Sequence, residues 1–278
     1  MKTKIMQVVQ PLFWLLCLSG GIAAAGAAPP DAGATFPLRE QYRDVSVIET
    51  AELAKRYNDV IIVDVRSQYE YDTLRIKDAQ LISLSDSHFV SRVKELRTSN
   101  DKAVVFYCNG KTCHKSYDAA RKAQTKRIKN IYCYDAGVAD WAKASPERAA
   151  LLGVSPVKTE NLISPDRFKE HLLEPAEFES KVSAAIVLDV RDRSQRDSPL
   201  FPFREQRVQL EETARIDAVI DQARREKKTL LVYDAVGRQV EWLQYHLESR
   251  RLKDYYFMKG GAKAYSDMKG RTVTSSAR

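Results

Sequence analysis

Cysteine and histidine are scarce in this chain of 278 residues, which has four of each. The histidines are scattered and lack zinc-ligand spacing with the cysteines, so the sequence predicts no metal site. A glycine-rich phosphate loop is also missing, which leaves no sign of a bound nucleotide or other cofactor. The net charge is +8, but basic residues are mixed with acids and form no block, which argues against a nucleic-acid partner. What remains is an ordinary globular composition, long enough for two domains.

The chain also lacks a long hydrophobic run, and this bears on its N-terminal segment. Lys2 and Lys4 precede the apolar run PLFWLLCLSG, and the small-residue stretch GIAAAGAAPP follows it. Gln10 and Pro11 leave fewer than the ~18 unbroken apolar residues that a membrane span needs. The pattern is typical of a signal peptide over residues 1–28. We therefore expect an exported, periplasmic protein without stable membrane insertion after cleavage; an uncleaved N-terminal anchor is the alternative.

Cleavage after residue 28 would leave three cysteines, Cys108, Cys113 and Cys133, and would lower the net charge from +8 to +6. Exported domains that use cysteines as disulfide staples more often have an even number at wide spacings. An odd number, with two of the three clustered, favours reactive cysteines. Cys133 lies in the middle of the apolar run NIYCYD, and we expect it to be a core residue.

The segment VVFYCNGKTCHKSYDAA, residues 104–120, predicts a strand, a short polar loop and a helix. The apolar run stops at Cys108, and the helix begins near Ser116. Loop amides and the positive end of the helix would both point toward the Cys108 sulfur and lower its pKa. Gly110 permits the tight curvature that such a loop needs. A buried cysteine at the end of a strand is the alternative interpretation.

The chain repeats itself weakly. IIVDVRSQYEYD (61–72) is echoed by IVLDVRDRSQRD (186–197), and VVFYCNG is echoed by LLVYDAVG. Asp64 and Asp189 lie 125 positions apart, and Cys108 and Asp234 lie 126 apart. Two anchors at nearly one spacing predict a tandem duplication. Pro146, which interrupts the pattern between the halves, indicates a linker.

Short apolar strands alternate with amphipathic helices in each half. In the first half, the predicted strands cover 59–65, 104–107 and 130–134. The predicted helices cover 50–57, 89–98 and 116–127. This alternation predicts an α/β fold with a mainly parallel sheet flanked by helices. In such sheets functional groups collect where strands end, which is where Cys108 and Asp234 lie.

Together these elements resemble the rhodanese family of thiosulfate sulfurtransferases, over residues 43–145 and again over 160–268. In the first half the resemblance rests on VDVRSQYEY, on the strand–cysteine–loop–helix unit and on YDAGVADW. The family's Gly-His-Ile-x-Gly-Ala stretch is replaced by LRIKDA. The resemblance implies two tandem rhodanese-like domains joined by a linker at 146–159. Tandem members usually keep the reactive cysteine in the C-terminal half, whereas here only the first half has it.

The resemblance implies a sulfurtransferase that carries a sulfane sulfur as a persulfide on Cys108. The thiolate would attack the outer sulfur of thiosulfate or a similar small anionic donor. A thiol, cyanide or a protein acceptor would then take the sulfur. The residues expected to form the donor-binding loop are Asn109, Gly110, Lys111, Thr112, Cys113 and His114.

Three further residues, Asp64, Arg66 and Glu70, are interpreted as structural support. We expect Asp64 to tie down the backbone after its strand and Arg66 to pair with Glu70 one turn on. Cys113 has two interpretations. It either resolves the Cys108 persulfide into a disulfide, which makes the loop a redox device, or it is an inert apolar residue.

Three other functions compete with sulfur transfer. CNGKTCH fits C-x4-C-H, a spaced-out relative of the haem-attachment motif, but its first cysteine closes a strand. A cysteine phosphatase would need an arginine where His114 stands. A non-catalytic binding or sensor module is the third, and the second half favours it because Asp234 stands where the nucleophile would be. A carboxylate cannot hold a sulfane sulfur.

Overall fold

A computed structural model describes residues 35–97, 101–196 and 198–276. The predicted signal peptide lies outside the described residues. Across those ranges, no helix combines the length and the apolar character that crossing a bilayer requires.

Strands and helices alternate along the described ranges. The strands are β1 (Val60–Asp64), β2 (Leu74–Ile76), β3 (Gln80–Leu81), β4 (Ala103–Tyr107), β5 (Ile131–Tyr134), β6 (Ala149–Leu151), β7 (Leu172–Leu173), β8 (Ile186–Asp189), β9 (Glu205–Arg207), β10 (Leu230–Tyr233) and β11 (Tyr255–Met258). The helices are α1 (Thr50–Lys55), α2 (Gln68–Thr73), α3 (Phe89–Glu95), α4 (Lys115–Thr125), α5 (Gly137–Ala144), α6 (Pro165–Lys169), α7 (Pro175–Lys181), α8 (Thr213–Glu226), α9 (Val240–Ser249) and α10 (Gly261–Ser276).

Two parallel sheets organise these elements. The first has the order β3-β1-β4-β5, and Val47 adds a parallel bridge to Cys133 at its β5 edge. The second has the order β7-β11-β10-β8-β9 and is also parallel throughout. Taken from β9, its order is that of the first sheet. The predicted α/β fold with mainly parallel sheets flanked by helices is confirmed.

Burial explains why the central strand of each sheet forms where it does. All five residues of β4 and all four of β10 are buried, as expected for a parallel strand covered by helices on both faces. Helix α4 packs on the first sheet through Ala119, Ala120 and Ala123, which are fully buried. It begins one residue before the predicted start, at Lys115. The loop between β4 and α4 is therefore held between two well-packed elements.

The segment predicted as a linker, 146–159, contains regular structure. It begins with a short 3-10 helix, Pro146–Arg148, and continues as β6, which pairs antiparallel with β2. The Arg148 guanidinium donates to the Ala54 carbonyl at 2.7 Å, which fastens the segment to the first half. One apolar core runs on into the second half, so the two sheets are packed together through buried side chains.

Candidate active site at two thiols

Cys108 lies directly after β4 and is 1% exposed. Its sulfur lies 3.3 Å from Ser116 Oγ and 3.3 Å from the Cys113 carbonyl oxygen. Burial is the largest influence on this thiol, and it raises the pKa of Cys108 well above the ordinary value. The direction is opposite to the lowering that the strand–loop–helix pattern predicts. The structure therefore places a neutral, enclosed thiol at the strand end.

Cys113 is partly exposed. Its sulfur, rather than that of Cys108, receives most of the loop and helix amides that the sequence predicts around Cys108. The backbone N–H groups of Asn109 and Lys115 act on its sulfur, and so does the neighbouring Cys108 side chain. The interaction with Cys108 is the largest cause, and together these groups lower the pKa of Cys113 to about 6. The Ser116 N–H instead faces Cys108. The first two amides of α4 are thus divided between the two sulfurs.

Lys111 and His114, two of the residues expected to bind the anionic donor, are paired with acids. Lys111 Nζ lies 2.7 Å from Asp140 Oδ2. His114 Nδ1 lies 2.6 Å from Asp118 Oδ2, and both residues belong to the start of α4. Thr112 is exposed between them.

Lys115 also has an acidic partner, but it acts on a sulfur as well. Its ammonium lies 3.8 Å from Glu70 Oε2, and its positive charge also favours the Cys113 thiolate. Lys115, rather than Lys111 or His114, therefore supplies positive charge to a sulfur.

Asp64, Arg66 and Glu70 form a buried network, with one correction to the predicted pairing. Asp64 accepts the Arg66 N–H at 3.0 Å and its guanidinium at 2.6 Å, so Asp64 does tie down the backbone. The predicted Arg66–Glu70 pair is wrong. Ser67 begins α2 as its N-cap, and this turns Glu70 back onto the Ser67 N–H at 3.0 Å. Arg66 and Glu70 meet instead through Asn109, which donates to Glu70 at 2.8 Å and accepts from Arg66 at 3.1 Å.

Gly137 sets the position of the loop from the opposite side. It has φ +81°, and a Cβ there would lie 2.3 Å from Gly110 Cα and 2.5 Å from the Asn109 carbonyl carbon. The next residue, Val138, donates its N–H to the Cys108 carbonyl at 3.1 Å. The backbone at the start of α5 therefore contacts the backbone of the loop directly. Ser116 was not recognised from the sequence as a partner of Cys108; its place at the start of the predicted helix was the available signal.

The corresponding loop of the second half closes on a carboxylate. Asp234 follows β10 and is 1% exposed. Its carboxylate accepts the N–H groups of Val236 (3.0 Å), Gly237, Gln239 (2.5 Å) and Val240 (3.2 Å). This loop is a backbone anion cradle with the anion supplied by its own chain.

The second half also covers the network behind Cys108. Trp242 of α9 lies over the Arg66 guanidinium at 5.0 Å, and Tyr107 lies at 5.5 Å from it. Glu241, beside Trp242, is solvent-accessible, and partial desolvation and the charge of Glu70 raise the pKa of Glu241. A residue of the second half thus contacts the side chain that orients Asn109, the immediate neighbour of Cys108. No metal cluster of three or more His, Cys, Asp or Glu occurs in the part of the chain that the structure describes.

Comparisons with known proteins match part of the chain to a known domain. The family model of the rhodanese-like domain matches residues 49–144. No curated protein matches the chain. Among solved structures, the chain is similar to a rhodanese-related protein from Thermoplasma volcanium, with 21% identity over 36% of this chain and 93% of that one, at a TM-score of 0.31.

Two further solved structures carry functional names of their own. A thiosulfate sulfurtransferase from Pseudomonas aeruginosa shows 15% identity over 81% of this chain and 43% of that one, at a TM-score of 0.37. A polysulfide-sulfur transferase from Wolinella succinogenes shows 17% identity over 38% of this chain and 82% of that one, at a TM-score of 0.30. The range matched as a rhodanese-like domain includes Cys108 and Cys113, and the second half lies outside it.

Proposed function

We propose that this protein is a sulfurtransferase whose β4–α4 loop carries a sulfane sulfur as a persulfide on Cys108. The observation that carries the proposal is a pair of reduced cysteines at the carboxyl end of the central strand of the first sheet, with the Cys108 thiol 3.3 Å from the Cys113 carbonyl oxygen. This pair lies within the range that matches the rhodanese-like domain. The carboxyl edge of a parallel sheet is where such folds place their chemistry.

The proposed reaction moves one sulfur atom without net oxidation. A loop thiolate attacks the outer sulfur of thiosulfate or a similar anionic donor, sulfite leaves, and a persulfide remains. A thiol, cyanide or a protein acceptor then takes the outer sulfur. The Ser116 hydroxyl, 3.3 Å from the Cys108 sulfur, is placed to donate to a persulfide anion there.

The tandem arrangement is part of the same proposal. The second sheet has the strand order of the first, and the loop after β10 occupies the equivalent position. Asp234 fills that loop, and a carboxylate cannot carry a sulfane sulfur. We assign the second half a supporting role, through the cover that Trp242 provides over Arg66.

A thiol–disulfide device is the second candidate, favoured by the contact between the two cysteines, since the Cys108 thiol lies 3.3 Å from the Cys113 carbonyl oxygen. In that chemistry the Cys108 thiol attacks the inner sulfur of a Cys113 persulfide, hydrogen sulfide leaves, and a disulfide forms. The two candidates use the same atoms and differ in which sulfur of the persulfide is attacked. Their products differ in mass.

The test uses the full chain, reduced and then incubated with thiosulfate. We expect a gain of about 32 Da, from one persulfide sulfur, together with sulfite release that becomes catalytic when cyanide is added. Cys108→Ser should abolish that turnover, and Cys133→Ala, in the core away from the loop, should retain it. A loss of about 2 Da that a reductant restores would identify the disulfide device instead. Absence of both adduct and sulfite from the reduced chain would overturn the proposed function.

A further inference from the structure

Resting on the proposed function, we propose that Cys113 is the sulfur entry residue. It attacks the donor first and then passes the sulfur to Cys108, so the loop is a two-cysteine relay. The sequence alone leaves Cys113 as a resolving or an inert residue, which acts after Cys108 or not at all. The geometry of the loop reverses that order.

Access is the first reason. Cys108 is 1% exposed and lies in an apolar cluster with Phe106 and Val65. Bringing a thiosulfate dianion to that sulfur would move a double charge from water into this apolar cluster, which is strongly unfavourable. Cys113 lies partly exposed at the mouth of the same loop. A dianion therefore meets the Cys113 sulfur first.

The backbone cradle is the second reason. The Asn109 and Lys115 amides donate to the Cys113 sulfur, and Lys115 adds its ammonium charge. In the second half the equivalent loop points four amides at the Asp234 carboxylate. Asp234 follows its strand as Cys108 does, and its loop shows that backbone amides at this place can act on an anionic side chain. In the first half, the amides of Asn109 and Lys115 act on the Cys113 sulfur.

Contact between the thiols completes the relay. The Cys108 sulfur lies 3.3 Å from the Cys113 carbonyl oxygen, so a sulfur carried by Cys113 begins close to its second acceptor. Ser116 approaches Cys108 with both its hydroxyl and its N–H, and these donors are in place to stabilise the anion once it arrives there.

The steps balance as follows. The Cys113 thiolate attacks the sulfane sulfur of thiosulfate; the bond from that sulfur to the sulfonate sulfur breaks, and sulfite leaves with the electron pair. Cys108 then attacks the outer sulfur of the Cys113 persulfide, and the sulfur–sulfur bond on Cys113 breaks. The Cys108 proton passes to Cys113, which loses it to solvent before the next cycle. No oxidant or reductant is required.

Trypsin offers a direct way to locate the sulfur, because Lys111 stands between the two cysteines. The native full-length chain is pulsed with thiosulfate, its persulfides are trapped by alkylation, and it is digested without reductant. Cys108 then appears in peptide 103–111 and Cys113 in peptide 112–115. The same protocol is applied to Cys108→Ser, Cys113→Ser, Cys113→Ala and the control Cys133→Ala. Circular dichroism and unfolding curves verify that each variant is folded.

The relay predicts the label on Cys113 at the earliest times and on Cys108 later in the wild type. Cys108→Ser should accumulate label on Cys113, and both Cys113 variants should load about tenfold more slowly or worse. Prompt loading of Cys108 in either Cys113 variant, with no label on Cys113 in Cys108→Ser, would overturn the relay and leave the proposed function intact. A wild type that takes no label at all would overturn the proposed function itself.

Discussion

The loops after β4 and β10 occupy the same position in two parallel sheets of the same strand order. They nevertheless surround different side chains, cysteines in the first half and Asp234 in the second. Asp234 satisfies four backbone N–H groups and is itself enclosed. The first loop divides its donors between a buried thiol and a partly exposed sulfur. The backbone cradle is thus shared by both halves. What distinguishes the first half is that its loop holds cysteine sulfurs, where the second holds a carboxylate.

Glycines hold both cradles in place. A Cβ on Gly137 would collide with the backbone of Gly110 and Asn109, and a Cβ on Gly261 would come 2.6 Å from the Asp234 carbonyl oxygen and the Val236 nitrogen. Both glycines have positive φ, at +81° and +61°. Helix α5 in the first half and helix α10 in the second therefore contact the neighbouring loop in the same way. Matched substitutions can be made in the two halves.

The largest effects are expected from these glycines. Gly137→Ala and Gly261→Ala should each lower the free energy of unfolding by about 2–5 kcal/mol, since positive φ and a backbone collision add. Only Gly137→Ala should also stop sulfur loading, because it displaces the loop that holds the thiols. Denaturant unfolding and thiosulfate loading measure the two effects.

Gly153→Ala is the control for this pair. Gly153 has the same φ of +81°, but a Cβ there meets no atom within 4 Å. It should cost about 1–2 kcal/mol from backbone strain alone, with loading unchanged. Equal loss of loading in Gly137→Ala and Gly261→Ala would show that the two loops do not differ in function.

The groups in the cradles should differ in their effect on stability. Asp234→Ala leaves four loop N–H groups without their acceptor, and we expect a loss of about 2–3 kcal/mol. Cys113→Ala removes a partly exposed acceptor whose donors water can reach, so its cost should stay below about 1 kcal/mol. Thermal or denaturant unfolding of the two variants decides this. If Cys113→Ala were the more destabilising, the cysteine would be a structural residue.

The smallest effect is expected at the contact between the halves. Trp242→Phe keeps most of the packing but weakens the cation–π contact with Arg66, at a cost of about 1 kcal/mol. Because Arg66 holds Asn109, sulfur loading should slow while the unfolding transition remains single. Loading kinetics and unfolding curves on the same sample measure both. An unchanged loading rate would show that the second half does not act on the first loop.

The sequence predicted the architecture well because its signals are local. The apolar runs 104–107 and 130–134 and the helix near Ser116 lie within a residue or two of β4, β5 and α4. The alternation that predicts parallel sheets needs only such runs. By contrast, the antiparallel pairing of β2 with β6 joins segments more than 70 positions apart, and no local pattern in 146–159 marks it as more than a linker.

The site was predicted in its residues but not in their electrostatics. Placing Cys108 at a strand end followed from the sequence, but its burial depends on α4 and α5 closing over the loop, and burial decides its pKa. Arg66 was assigned to Glu70 by helical spacing, although the chain is extended at Asp64 and Ser67 caps α2. The pKa of Cys108 and the partner of Arg66 depend on tertiary packing and on competition between partners. The spacing of residues along the chain carries no information on either.

The most direct measurement is the alkylation rate of each cysteine in the native, reduced chain as a function of pH. Cys108 and Lys115 are the titratable groups that act on the Cys113 sulfur. Because the pKa of Cys113 is lowered to about 6, its thiolate is present above that pH, and its alkylation should fall about tenfold between pH 7 and pH 5. Cys108, with its raised pKa, should react far more slowly at both. Faster alkylation of Cys108 than of Cys113 at pH 7 would contradict the account.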